Sequence, residues 1–186
     1  MGGIKGRLAL VGLVILLFLL PSVLPRFYTY IIALIFVTAL LAMSLNITVG
    51  YGGMFQFHHG VFYGVSAYTV ALIITKTKLP AWLAFCAGPV AAAIAGLLIG
   101  GFCVRLTQLY FGMLQISLGS LLWAIVFRWY SLTGGDDGIH GIPMPDILSS
   151  LKNAYYFILI VLIVCLYLLY RIVNSPFGRT LQAIRD

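Results

Sequence analysis

The chain has 186 residues, of which 62% are hydrophobic and only 8% are charged, and its formal net charge is +7. Soluble domains carry about 25% charged residues, so this composition excludes an ordinary soluble protein. The Lys and Arg residues are scattered between apolar runs and form no basic stripe, which argues against nucleic-acid binding. The sequence therefore predicts an all-α polytopic membrane protein, because helices satisfy their own backbone polar groups inside a bilayer.

Six apolar segments approach the length of about 20 residues that a helix needs to cross a bilayer. We predict membrane-spanning helices over about 8–24, 27–45, 61–75, 81–104, 106–127 and 153–170. Basic residues precede the first apolar run, as they do in a secretory signal, but no small-residue cleavage site follows it. We therefore predict a retained span and a single transmembrane domain over 1–186.

Six spans place both termini on the same side of the membrane. Basic residues cluster near the two termini, which favours a cytoplasmic location for both. The stretch 128–152 is then an external loop, and 171–186 is a cytoplasmic tail with a helix that opens at about Pro176. The predicted location is the inner (plasma) membrane of the cell.

Residues 46–60 interrupt the longest charge-free part of the sequence. Gly50, Gly52 and Gly53 make a continuous helix costly, by about 1 kcal/mol each relative to Ala. Non-helical backbone and polar side chains at membrane depth are tolerated only inside protein or beside water. We therefore predict a broken helix or a re-entrant segment at 46–60, and we treat it as a candidate functional site.

Two adjacent histidines, His58 and His59, end this segment. Three roles remain open for them: contact with a substrate or gate, a structural hydrogen bond at the helix break, or metal ligation. Metal has the least support, because no Asp, Glu or Cys lies nearby in the sequence. Gln56 and His59 are also suitable partners for backbone groups that the break sets free.

A polar and small stripe runs along the fifth predicted span. Gln108, Gly112, Gln115 and Gly119 fall at i, i+4, i+7 and i+11, on one face of a helix. This pattern is typical of a tight helix–helix seam joined by amides, and it equally suits the lining of a solute pathway.

The external loop contains SLTGGDDGIHGIPMPD, in which Asp136, Asp137 and His140 lie close together. Such a group invites a catalytic or metal role, but the glycines and prolines around it favour a turn with solvated charges. The sequence contains no P-loop, nucleophile elbow or His-Glu-x-x-His pattern. We therefore predict a protein that is not an enzyme and binds no cofactor or metal itself.

Four stretches in order resemble motifs of branched-chain amino-acid ABC-transporter permeases of the LivM type. The first, LNITVGYGGMFQFHHGVFYGVSAY over 45–68, is similar to the family's N-L-x-x-G-Y-x-G-Q-L-S-L-G-H-x-x-F-F-G-x-G-A-Y. The others are RLTQLYF, LTGGDDGIHGIP and SPFGRTLQAIRD, over 105–111, 132–143 and 175–186. Met54, Gln56 and His58 stand where the family pattern has Gln, Ser and Gly. The chain resembles an N-terminal portion of such a permease: a truncated product, a split permease or a fragment.

The resemblance implies a permease subunit of an ABC importer that takes up branched-chain or related amino acids by alternating access. Separate ATPase subunits would hydrolyse ATP, and the partners would be a second permease subunit, two cytoplasmic ATPases and an extracytoplasmic solute-binding protein. The alternatives are a permease for urea or short amides, a passive channel, a membrane-embedded enzyme and an inert remnant.

The motifs and the resemblance together give three sets of candidate site residues. The substrate pathway comprises Asn46, Gly50, Tyr51, Gly53, Gln56, His58, His59 and Gln115. The loop that meets the binding protein comprises Gly134, Gly135, Asp136, Asp137 and Ile142. The tail residues Arg179, Arg185 and Asp186 would couple the permease to the ATPases, or they would form a basic interfacial helix that sets topology.

Overall fold

The computed structural model describes residues 4–54, 56–77, 79–103, 105–106 and 108–185. All regular secondary structure in these ranges is helical, which confirms the predicted all-α class for them. The α-helices are α1 (Ile4–Val23), α2 (Arg26–Asn46), α3 (Gly60–Lys76), α4 (Ala81–Cys103), α5 (Gln108–Arg128), α6 (Tyr130–Thr133), α7 (Leu151–Val173) and α8 (Pro176–Arg185). A π-helical turn over Ile47–Tyr51 and a 3-10 turn over Asp146–Leu148 complete the described elements.

Four stretches of the described chain are long and apolar enough to cross a membrane. They are Arg26–Tyr51, Ala81–Cys103, Leu109–Arg128 and Leu151–Val173. Two further apolar stretches are shorter: Val14–Val23, which is the second half of α1, and Gly60–Lys76, which is the whole of α3. The 17 residues of α3 rise only about 26 Å, somewhat less than the hydrocarbon thickness of about 30 Å. The prediction of six full spans therefore stays a prediction.

The chain divides into two compact units, and the predicted single domain stays a prediction. The first unit consists of Met1–Met43 and Pro145–Ser175. Its core joins Ala33 of α2 to Tyr155 and Leu159 of α7. The Tyr155 hydroxyl donates a hydrogen bond of 2.9 Å to the Leu17 carbonyl of α1, which satisfies the one polar atom of this buried ring.

The second unit consists of Ser44–Met144 and Pro176–Asp186. Helices α3 and α4 pack closely in it, and a Cβ at Gly88 of α4 would come within 2.7 Å of side-chain atoms of both Ser66 and Val70. Glycine at this position therefore allows the close approach of the two helices. Helix α8, which begins at Pro176 as predicted, packs against the π-helical turn.

Helical structure extends further along the chain than the sequence predicts before it breaks. After α2, the Gly52 amide donates to the Ile47 carbonyl, and the Met54 amide donates to the Thr48 carbonyl. A Cβ at Gly50 would overlap the amide oxygen of Asn46, so a larger residue there would displace the Asn46 side chain. Regular helix resumes only at Gly60.

Candidate functional site

A cavity of about 900 Å³ lies between α3 and α5 in the second unit. Contacts at the two ends of α3 show that these helices run in the same direction. His58, just before α3, lies against Gly119 of α5. Lys76, at the end of α3, donates a hydrogen bond of 2.7 Å to the carbonyl of Ser131, which follows α5. The cavity therefore has one end at Phe57 and His58 and the other at Gly135 and Asp136, with helix residues along its length.

The walls of this cavity are mainly aliphatic and aromatic, and few polar side chains reach it. The wall residues of α3 are Gly60, Val61, Gly64, Val65 and Tyr68, and those of α5 are Gly119, Ser120, Leu122, Trp123, Val126 and Phe127. The one carboxylate among the lining residues is that of Asp136. An apolar pocket with a few polar groups at defined positions is the common form of a small-molecule site.

The structure separates the two adjacent histidines. The His59 Nε2 atom lies 2.7 Å from the Ser44 hydroxyl oxygen at the end of α2, and the His59 ring packs edge-on against Phe62. The His58 ring instead lies over Gly119 of α5. His59 therefore has the geometry of a structural hydrogen bond across the helix break, whereas His58 faces the cavity.

Four buried side-chain atoms of the second unit have no hydrogen-bond partner in the described part of the chain. They are Gln56 Oε1, His58 Nδ1, His59 Nδ1 and Gln115 Oε1. All four belong to residues that the sequence places in the substrate pathway. Leaving such a group buried and unpaired costs about 1–3 kcal/mol, so these four residues stay candidates for contact with a solute.

A second, smaller cavity of about 10 Å³ lies next to the first. Gln115 lines it together with His58, Gly119 and the apolar residues Val61, Phe62 and Ile99. Its size is close to the smallest that admits one water molecule. The structure thus brings together two residues, His58 and Gln115, that are far apart in the sequence.

The other predicted pathway residues lie outside both cavities. Asn46, Gly50 and Tyr51 belong to the π-helical turn or adjoin it, and Gly53 follows it with a φ of 64°. Gln56 is half-buried between the turn and His58. These residues shape the segment that carries His58, and their direct contact with a substrate stays a prediction.

The loop after α5 is built on glycines with left-handed backbone. Gly134 has a φ of 77° and lies so close to the Gly138 carbonyl that a Cβ would overlap it, and Asp137 donates its amide to the Gly134 carbonyl. Asp137 and Ile142 are exposed. The two neighbouring aspartates therefore have different surroundings, since Asp136 lines the cavity and Asp137 forms part of the turn.

The tail residues are only partly described. Arg179 is exposed on α8. The side chain of Arg185 and the whole of Asp186 lie outside the described residues. The described part of α8 packs against Ile47–Tyr51, a contact that the sequence does not suggest.

Tyr68, Ser120 and Trp123 are among the wall residues of the large cavity that sequence reasoning missed. A signal for two of them was present. Tyr68 continues the spacing of Gly60 and Gly64 at i+8, and Trp123 follows Gly119 at i+4. Extending each glycine stripe by one helical turn would have found both aromatic residues.

Ser44→Ala tests the role of His59. We expect a loss of about 1–3 kcal/mol in stability, because the change removes the partner of Nε2 on a ring whose Nδ1 is already unpaired. Thermal unfolding in detergent measures this loss. Thr38→Val is the matched control, because the Thr38 hydroxyl is exposed and donates only to carbonyls of its own helix. Equal stability of the two variants would show that the His59 contact contributes nothing.

Comparison with known proteins identifies the family. A family model described as the permease component of branched-chain amino acid transport systems matches residues 27–186. The chain belongs to this family. The match confirms the resemblance seen in the motifs and, with the four apolar helices, identifies a membrane protein and a permease component rather than an enzyme.

Two curated relatives match nearly the whole chain. It is 26% identical to the high-affinity branched-chain amino acid transport system permease protein LivM of Escherichia coli K12, over 98% of this chain and 49% of that protein. It is 24% identical, with the same coverage, to LivM of Salmonella typhimurium LT2. The chain therefore spans about half the length of these relatives. No solved structure matches it.

Proposed function

We propose that the chain is a permease subunit of an ABC importer for branched-chain or related amino acids, and that the cavity between α3 and α5 forms part of the substrate pathway. The observation that carries this proposal is the cavity itself. It lies wholly within the region that the family model matches, and it is apolar along its walls and polar at its ends.

The chemistry of the cavity suits an amino acid with an aliphatic side chain. Its volume of about 900 Å³ falls within the range of about 300–1,000 Å³ that is usual for small-molecule sites. Transfer of an aliphatic side chain onto walls such as Val65 and Leu122 gains about 25 cal/mol for each Å² removed from water. Asp136 at one end supplies an acceptor for an ammonium group.

The other parts of the importer follow from the same proposal. The glycine loop that carries Asp137 and Ile142 meets an extracytoplasmic solute-binding protein, and a second permease subunit completes the pathway. Two cytoplasmic ATPases hydrolyse ATP and act through the tail that contains Arg179. The chain then spans the inner membrane six times, with the segment 52–59 as the break between two of the spans.

The contact between α8 and the π-helical turn supports a route for alternating access. Closure of the ATPases would displace α8, and α8 packs against Ile47–Tyr51. The segment 52–59, which carries His58 at the end of the cavity, follows this turn directly. Movement of the tail would therefore reach the cavity through one helical turn and one short loop.

The experiment is to co-express the chain with candidate ATPases, a companion permease and a binding protein, and to reconstitute the purified complex. We expect ATP hydrolysis to rise when the binding protein is loaded with a branched-chain amino acid, and labelled substrate to accumulate in the vesicles. A complex that assembles but shows neither response to any amino acid or amide contradicts the proposal.

Filling the cavity tests its place in the pathway. Val65→Phe adds an aromatic ring to the cavity wall, and we expect uptake to fall about tenfold or more, which corresponds to a barrier higher by about 1.4 kcal/mol. Val90→Phe is the matched control, because Val90 lies exposed on α4 and outside the cavity. Equal uptake by the two variants, at equal amounts of assembled complex, would remove the cavity from the pathway.

A further inference from the structure

The imidazole of His58 stands at the junction of two cavities. His58, Val61 and Gly119 line both the cavity of about 900 Å³ and the cavity of about 10 Å³ that contains Gln115. Val61 is on the first turn of α3 and Gly119 has no side chain, so the His58 ring is the large movable group among the three. Rotation of this ring is the simplest change that would join the two spaces.

Steric contact with Gly119 restricts the position of the His58 ring on one side. A Cβ at Gly119 would overlap the Cδ2 atom of His58, so only glycine on α5 leaves room for the ring in this position. Gly119 is buried in the middle of α5. The contact on the α5 side therefore lies inside the unit.

No hydrogen bond to the described chain holds the inner nitrogen of this ring. His58 Nδ1 is buried and unpaired, and Gln115 Oε1 is buried and unpaired on the wall of the small cavity. Gln115 is only 8% exposed. A buried amide with an unused acceptor usually has a partner, because an unpaired polar group in an apolar setting is costly. A solute whose N–H donor entered the small cavity would supply one.

We propose that His58 is the constriction that sets the size of solute able to pass from the large cavity to Gln115, and that Gln115 accepts a hydrogen bond from the amino group of that solute. The inference rests on the proposed importer function. It makes His58 a specificity-determining residue, and it gives a use to the buried, unpaired Oε1 atom of Gln115.

Two variants separate the size of the His58 ring from its chemistry. His58→Gly removes the whole ring from the junction. His58→Phe is the matched control, because it keeps a ring of similar size and discards the nitrogens.

Labelling of a cysteine placed at Gln115 tests the constriction without any need for transport. Gln115→Cys is made alone, with His58→Gly and with His58→Phe, and each is treated in membranes with a small charged methanethiosulfonate. Modification is read by peptide mass spectrometry. The natural Cys86 and Cys103 serve as internal references for an unchanged fold, because one is exposed and the other is buried.

We expect modification at position 115 to be at least about tenfold faster with His58→Gly than with either His58 or His58→Phe. Equal rates in all three, with unchanged labelling of the reference cysteines, would overturn the constriction. A fast rate with His58→Phe would also overturn it, since the ring would then not be what excludes the reagent.

Transport by the reconstituted complex supplies the second measurement. We expect His58→Gly to raise the ratio of phenylalanine to valine uptake about tenfold, because a hydrophobic passage discriminates by about 1–3 kcal/mol for small differences in size. An unchanged ratio would overturn the role in specificity. If the wild-type complex imports no amino acid, the proposed function fails, whereas the labelling result at position 115 still decides whether His58 closes the passage.

Discussion

Gly119→Ala should destabilise the second unit, and His58→Gly should restore it. The new methyl group would overlap the His58 ring, which leaves the ring or α5 to move. Overpacking of this kind costs about 1–3 kcal/mol. Removing the ring takes away the overlap, so the double variant should recover most of the loss. Thermal unfolding of the purified chain in detergent measures both effects.

Gly100→Ala is the matched control for this experiment. Gly100 lies in α4, and a Cβ there would meet nothing within 4 Å. Alanine is favoured over glycine inside a helix by about 1 kcal/mol, so this variant should be as stable as the wild type or more so. A double-mutant cycle between positions 58 and 119 should give a coupling of about 0.5–3 kcal/mol. Additive effects would show that the two residues do not touch.

Gly134→Ala should disrupt the external loop. The position has a φ of 77°, where a side chain costs about 1–2 kcal/mol, and a Cβ would also overlap the Gly138 carbonyl. The turn that joins Asp137 to Gly134 would open, and Asp136 would leave the end of the cavity. We expect the stimulation of ATP hydrolysis by loaded binding protein to fall about tenfold or more, a barrier change of about 1.4 kcal/mol.

Gly138→Ala separates two effects in this loop: the cost of a side chain on left-handed backbone, and the overlap of a Cβ with neighbouring atoms. Gly138 has a similar φ of 70°, but a Cβ there would meet nothing within 4 Å. We expect a smaller loss of stimulation for this variant than for Gly134→Ala. If the two variants lose the same amount of stimulation, the close approach of Gly134 to the Gly138 carbonyl does not affect the stimulation of ATP hydrolysis.

Hydropathy predicted most helix positions in the fold, because a long apolar run has few other structures available in a bilayer. The predicted spans over 81–104 and 106–127 differ by one or two residues from α4 and α5 as observed. The end of α2 was harder to predict. Glycine propensity indicated a break from residue 46, but the chain continues in a π-helical turn to Tyr51, which is held by local hydrogen bonds that propensities do not describe.

The candidate site was only partly predictable. The glycine and glutamine stripe on α5 includes the two residues, Gln115 and Gly119, that lie near His58, and the break in the helix drew attention to His58 itself. The contact between His58 and Gly119 could not be inferred, because it depends on α3 and α5 running in the same direction side by side. Asp136 was assigned to the loop surface, and only the turn at Gly134 explains why it also reaches the cavity.

The second unit is not continuous in the chain, since its final part, Pro176–Asp186, follows the whole of α7. On the ribosome, the π-helical turn is therefore made and inserted long before α8 exists to cover it. Until then, the π-helical turn lacks its contact with α8. This region therefore cannot complete its packing until α8 has been made, and its apolar surface stays exposed up to that stage.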